Sequence, residues 1–453
     1  MNARGMSRVH SLPPGPRFAN IAMINALRDA CTYYARCAKR FGDPFTLPTP
    51  FGPLVMTGRP EGIRAIYSAE PESVEIFVKE PVPFLGPTSL VQSSGRQHIR
   101  RRHVIMPFLS RSSLIDYCAA ISDIAARFAA GLKPGDHFVA QHAMHELSLQ
   151  VILRIFFGVE FAQLQAVREA FLTAQRAMHP SFIFFGLLRR RFFGLGPWAR
   201  VCRARETLDA TIHAVIAGRR AGPPCGGLLD LLLAARFADG SPMSDMEIRD
   251  QLVTLVAGGH ETLAVGLTWA LYWIHRQPQI RERLLAELDQ ADWPTDLETV
   301  AGLPYLDAVY RETLRLSPII PEVPRRLRRP FDLLGYQLPA GIGVCAVASL
   351  VHMNEELYSD PGSFRPDRFL ERRYSAFEFV PFGGGLHHCV GATFAMYEMK
   401  IVLVTLLGNH LFRLIADDPM RSCRQRNAVI FGPRSPVVLV VDARKSRLGA
   451  GTP

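Results

Sequence analysis

The stretch Phe382-Gly383-Gly384-Gly385-Leu386-His387-His388-Cys389-Val390-Gly391 sets one cysteine in a glycine-rich turn, directly ahead of a run, 392–407, with helical spacing. Such a turn can offer a thiolate to a metal. Its glycines are free to take positive φ and let the backbone lie against a flat group where a Cβ would collide. Close to a helix N-terminus, the macrodipole and free N–H groups favour the charged sulfur, so a lowered thiol pKa is expected. A cysteine taken at random is more often a small buried hydrophobe, and the packed glycines argue against that here. A zinc site needs about four ligands, and His387, His388 and Cys389 are too close in sequence to supply them alone.

A second set of reactive types stands midway along an apolar run, 252–274: Gly258-Gly259-His260-Glu261-Thr262. Two glycines inside a helix cost about 1 kcal/mol each against alanine, a cost that some other need must offset. Neighbouring helical residues point about 100° apart. Thr262 can therefore face a ligand while Glu261 leads toward solvent, which suits a proton relay. The bland alternatives are a threonine bonded back to the carbonyl four residues earlier and a glutamate in a buried ion pair. Elsewhere, Glu312-Thr313-Leu314-Arg315 puts opposite charges on one helical face, and in Gly95-Arg96-Gln97-His98-Ile99-Arg100-Arg101-Arg102 the i, i+4 pair His98 and Arg102 shares a face.

The spacing F-x-x-G-x-H-x-C-x-G resembles the haem-binding loop of the cytochrome P450 family, whose cysteine is the axial ligand of haem iron. The order of elements supports that resemblance from about Pro13 to Asp442, nearly the whole chain. It implies haem b with Cys389 as its thiolate and Phe382, Gly385 and Gly391 shaping the loop; covalent attachment is excluded because no C-x-x-C-H occurs. A thiolate ligand donates electron density that favours O–O cleavage. By the same resemblance Glu261 and Thr262 match the acid–alcohol pair of the oxygen-activation motif, with Gly258 opening a groove and Leu263 replacing the family's frequent second hydroxyl. Phe364-Arg365-Pro366-Asp367-Arg368-Phe369 resembles the family's meander, so Glu312, Arg315 and Arg368 are expected to form a buried network behind the loop. His98, Arg102, Arg325 and His387 are the expected partners of the haem propionates.

For the substrate pocket the resemblance points to the loop 72–91, to Leu255, Val256 and Gly258, to Ile319, Ile320 and Val323, and to the turn 427–431 with Val429, Ile430 and Phe431. Glu322 is the polar exception and is expected to turn to Arg325 and Arg326. Phe182, Ile183, Phe184, Phe185, Phe192 and Phe193 fall where the family has a mobile lid, although such an aromatic cluster is more often core. The implied activity inserts one atom of O2 into a hydrophobic small-to-medium molecule such as a terpenoid, steroid, fatty acid or polyketide. Electrons are expected from a separate acidic ferredoxin docking on the cysteine side, with Arg100 and Arg101, read as a solvated face, as its contacts. A peroxygenase is the rival within enzymes, and the retained Glu261-Thr262 argues against it. A haem-binding sensor or carrier would need no relay.

The elements needed to position these residues fit one large domain, mainly α with small β-sheets, its haem buried between the long central helix and the cysteine loop. Ser244 with Glu247 forms a capping box ahead of that helix, and Pro278 stops it. Strands are expected around 44–57 and 331–344. The domain is expected over 13–442, between a flexible N-terminus, 1–12, and a flexible tail, 443–453. With 48% hydrophobic and 21% charged residues in 453, the composition is that of a globular chain able to enclose a cofactor. Eight cysteines without a spacing framework, and no secretory signal, point to a reducing cytoplasm. No N-terminal apolar run approaches the roughly 20 residues of a membrane span, so no membrane anchor is expected. A net charge of +11, spread over scattered arginines without a nucleic-acid motif, fits an acidic protein partner rather than nucleic acid. The chain is expected to be a monomer.

Overall fold

The computed structural model describes residues 12–78, 84–179, 182, 188–190, 194–294, 296–415, 421–425 and 430–445. Its principal helices are α1 (Ala19–Phe41), α2 (Pro60–Tyr67), α3 (Gly95–Ile105), α4 (Arg111–Ala130), α5 (Ala140–Phe157), α6 (Gln165–Ala177), α7 (Pro197–Ala221), α8 (Asp245–Arg276), α9 (Pro304–Leu316) and α10 (Ala392–Asn409).

Helix α8 organises the body. Its N-terminus is fixed by the reciprocal capping box: Ser244 Oγ accepts from Glu247 N at 3.2 Å while Ser244 N donates to Glu247 Oε2 at 3.0 Å. Helical φ/ψ ends at Gln277, because the proline that follows disfavours a helical residue before it. Thirty-two residues at about 1.5 Å each make a rod of roughly 48 Å. Apolar side chains around nearly its whole circumference are buried, Trp269 and Tyr272 among them. It lies along α5 and also meets α9 and α10. Among the described residues, no single helix is long and apolar enough to cross a membrane.

The strands are β1 (Phe45–Thr49), β2 (Gly52–Thr57), β3 (Val74–Ile76), β4 (His137–Val139), β5 (Arg325–Leu327), β6 (Phe331–Leu333), β7 (Tyr336–Leu338), β8 (Gly343–Ala346), β9 (His410–Leu414), β10 (Ser422–Arg424), β11 (Phe431–Pro433) and β12 (Val438–Arg444). The main sheet runs β1-β2-β8-β5-β3, with β2 parallel to β8 and its other pairs antiparallel. Its two-residue period divides the core. Leu54, Met56 and Cys345 face the apolar stripe of α1 (Ala22, Ala26, Ala30, Tyr34), whereas Val55 and Val344 face Ile63 and Ile66 of α2. Smaller sheets, β4-β12-β9, β6-β7 and the hairpin β10-β11, complete a mainly helical fold.

Candidate active site

The cysteine turn is built as the spacing predicts in one respect and not in another. Gly383 and Gly385 take φ of 65° and 64°, and Cys389 N donates back to Phe382 O at 3.0 Å, closing the turn. The close approach the glycines permit, however, is to Tyr67 at the end of α2. A Cβ on Gly384 would lie 2.1 Å from the tyrosine ring, and one on Gly385 2.0 Å from its carbonyl oxygen. Gly385 thus makes room for a neighbouring helix. A hollow of about 400 Å³ beside the turn is lined by Tyr67, Phe377, Phe379, Phe382 and His388. Phe382 is half-buried and Gly391 caps α10.

Cys389 reaches accessible surface, yet the surrounding protein is dense enough that burial pushes its thiol pKa up. The Gly391 N–H and the Arg102 charge pull the other way without winning. The expected lowering is therefore reversed in the protein alone, because desolvation outweighs the helix terminus.

Helix α3 delivers the charged groups. His98 Nδ1 donates to Leu90 O at 3.1 Å, and the rings of His98 and His387 lie 4.2 Å apart. The Nε2 atoms of both are buried without a partner among the described residues. Burial and the charges of Arg102 and Arg325 lower both imidazoles, His387 to about 3. Two cations at one place have the chemistry to receive two carboxylates; His98, whose proton sits on Nδ1, could join them from Nε2 only as the imidazolium. Arg102 is partly committed already, since its Nη1 donates to His388 O at 2.5 Å. The neighbouring arginines are not a solvated face. Arg100 is held by Asp239 and Ser241 and covers the Phe237 ring at 3.7 Å, and Arg101 donates to Ser93 Oγ at 2.5 Å. Both brace loops.

On α8, Gly258 is exposed although it sits midway along a buried helix, and nothing would touch a Cβ placed there. Thr262, one turn later, donates to Gly258 O at 2.6 Å, the back-bonded arrangement open to any helical threonine. Glu261 is half-buried and engaged by another helix. Gln175 Nε2 of α6 donates to its Oε2 at 3.1 Å, and burial pushes its carboxyl from 4.5 to about 7.

Behind the turn, Glu312, Arg315 and Arg368 do form one buried network. Glu312 accepts from Arg315 Nε at 2.7 Å, Arg315 Nη2 at 2.8 Å and Arg368 Nε at 3.0 Å. Both guanidinium groups spend their remaining N–H on carbonyls of 352–363, and both lie by the Tyr358 ring. The connection to the thiol was invisible in the motif: His352 Nδ1 donates to Arg315 O at 3.2 Å while its Nε2 accepts from Val380 N at 3.0 Å. That requires a neutral ring, and burial with Arg315 drives its pKa down to about 3. Residues 379–382 are thereby hung on the ion network.

Of the expected pocket residues, Leu255 and Val256 are buried on α8, Ile319 is half-buried, and Ile320 and Val323 are each 39% exposed. Ile430 joins the main core, but Phe431 points to the opposite side, as adjacent residues of an extended strand do. It is buried with Tyr34 and Met56 under the Arg424 guanidinium, and does not line the pocket. Glu322 does meet an arginine, but it is Arg424 at 3.3 Å, together with the Tyr34 hydroxyl at 3.3 Å. Arg326 is occupied by the carbonyls of Phe51, Phe77 and Gly341. Residues 84–90 are pinned to α8: Thr88 N and Oγ1 donate to Asp250 Oδ2 at 2.8 and 2.7 Å, and Leu90 N to Gln251 Oε1 at 3.1 Å. No local pattern advertised that clamp. Phe182 is core, packed on Trp198; Ile183, Phe184, Phe185, Phe192, Phe193, Val429 and both expected flexible termini, apart from Leu12 and residues 443–445, lie outside the described residues.

One partner would use the thiol, the unpartnered imidazole nitrogens and the cations together: a flat dianionic group with a metal at its centre. That defines the haem-thiolate class, and these residues fit it. The chain belongs to the cytochrome P450 family, whose model, Cytochrome P450, matches residues 9–440. It is 35% identical over 407 residues to cytochrome P450 135B1 of Mycobacterium tuberculosis, covering 87% of this chain and 84% of that protein. Identity to cytochrome P450 138 of Mycobacterium bovis is 29% over 412 residues, covering 87% and 89%. The structure of retinoic acid-bound cyanobacterial CYP120A1 is similar with a TM-score of 0.84 at 25% identity, over 96% of this chain and 100% of that one. The family makes this protein a haem-thiolate monooxygenase, an oxidoreductase that incorporates oxygen.

Proposed function

We propose that Cys389 is the haem ligand of this monooxygenase, that His98, Arg102, Arg325 and His387 hold the propionates, and that Glu261 and Thr262 pass protons to the reaction. When bound, haem b supplies O2 activation, assisted by electron density from the thiolate. The observation that carries this reading is the break at Gly258, an exposed residue inside a buried helix with the acid and the alcohol within its next turn. Glu261, held near neutrality by burial, can both give and take a proton at physiological pH. Thr262 donates its hydroxyl proton to Gly258 O and can accept a hydrogen bond at its oxygen lone pairs. The expected substrate is a hydrophobic small-to-medium molecule, because Leu255, Val256, Ile319 and Ile430 offer apolar surface and Glu322 turns its Oε1 to Arg424 and Tyr34. Electrons are expected from a separate acidic ferredoxin, in keeping with a net charge of +11. Spectral titration of the ferric protein with terpenoids, steroids, fatty acids and macrolides, followed by NAD(P)H consumption with a surrogate ferredoxin and reductase, tests the reading. Apolar ligands should shift the spectrum and stimulate NAD(P)H use. Preference for a small charged metabolite, or binding without any turnover, would overturn it.

A further inference from the structure

We propose that Gln175 is a positioning residue for proton delivery, holding the Glu261 carboxyl in place from a different helix. The proposal rests on the relay reading of Glu261 given above. Gln175 stands in the last turn of α6, 86 residues from Glu261 in sequence, and donates from Nε2 to Oε2 at 3.1 Å. Among the described residues this is the one hydrogen bond to the Glu261 carboxyl. The neighbours of Glu261 on its own helix do not replace it: Thr262 is bonded to Gly258 O, and His260 packs its ring against His145 and Phe171.

The chemistry of the partner matters. An arginine or lysine would hold Glu261 as a carboxylate, whereas a primary amide carries no charge and does not titrate. Its N–H can be accepted by a carboxylate oxygen or by the carbonyl oxygen of the protonated acid. Gln175 thus fixes orientation in both protonation states, and burial keeps the exchange near neutral pH. A group that must lose and regain a proton in each cycle needs a partner of this kind.

Gln175→Leu, Gln175→Arg, Glu261→Gln and the double variant Gln175→Leu/Glu261→Gln test this in the haem-loaded enzyme with a turned-over substrate. Product formed per NAD(P)H, the pH profile and substrate spectral affinity are the readouts. Gln175→Leu should lower coupled product formation about tenfold while leaving spectral affinity unchanged, since misplacing a reacting group by about 1 Å can cost up to a hundredfold. In the Glu261→Gln background the same change should have almost no further effect. Gln175→Arg should move the alkaline limb of the profile to lower pH by favouring the carboxylate. An unaltered profile and coupling in Gln175→Leu, with Glu261→Gln impaired, would overturn the positioning role alone. Equal losses from Gln175→Leu in both backgrounds would also overturn it, marking a merely structural contact. A Glu261→Gln enzyme with wild-type coupling would instead sink the relay itself.

Discussion

Arg102 Nη1 donates to the carbonyl oxygen of His388 at 2.5 Å, so a helix 286 residues upstream grips the residue immediately before the thiol. Replacement by leucine should loosen the turn and remove a propionate partner together. A charge-assisted hydrogen bond contributes about 1.5–3 kcal/mol, so haem affinity should fall about tenfold or more. Haem transfer to apomyoglobin measures this; full retention in Arg102→Leu would refute it.

Cys389→Ser should abolish the thiolate signature of the reduced carbon monoxide complex. No rescue is expected from the other cysteines, since Cys37, Cys118 and Cys345 are buried and none of the seven lies in a comparable turn. An unchanged spectrum would send the search to another ligand.

Thr262→Ala should keep substrate affinity while diverting reducing equivalents into hydrogen peroxide, because the hydroxyl beside Gly258 is gone. The Glu261 carboxyl is protonated below about pH 7, so coupled turnover should decline as pH rises through that value and Glu261→Gln should lose this limb. Stability carries the same sign. The unfolded chain releases this proton near 4.5 and the folded one near 7, so the folded state binds more protons in between and is destabilised as pH rises across that window. Denaturant midpoints at pH 5 and 8 should show the decline, at most ~3 kcal/mol from this group, and a smaller one in Glu261→Gln.

Glu312→Ala should destabilise by about 3–5 kcal/mol, because it leaves Arg315 and Arg368 charged, buried and without their carboxylate. Through His352 and Val380 the damage should reach the thiol turn. Loss of the thiolate spectrum at a denaturant concentration where helicity survives would show that route; simultaneous loss would show general unfolding only.

Local signals carried most of the architecture into the sequence. The capping box and Pro278 delimit α8 within a few residues, and the glycine turn, the Glu312–Arg315 spacing and the meander each lie within a few positions of one another. What escaped was brought together by packing across long separations. Nothing near Gln175 hints that it will meet Glu261, nothing near Tyr67 shows that Gly384 makes room for its ring, and Arg424 displaces the closer Arg325 and Arg326 as the partner of Glu322. The thiol argument failed for a different reason: a helix terminus is legible in sequence, whereas the desolvation opposing it depends on everything folded around the sulfur.

Tyr67 leaves Gly384 and Gly385 no room for one more carbon, so drift on that wall has to move a helix before it changes a side chain. The materials elsewhere differ: Leu255, Val256, Ile319 and Ile430 are side chains on a helix, a bend and the residue before a strand, each replaceable without bending a backbone. If the proposed pocket holds, new substrate preferences can accumulate there while the cysteine turn stays fixed, and a mutant library seeking them belongs at those four positions and not at 382–385.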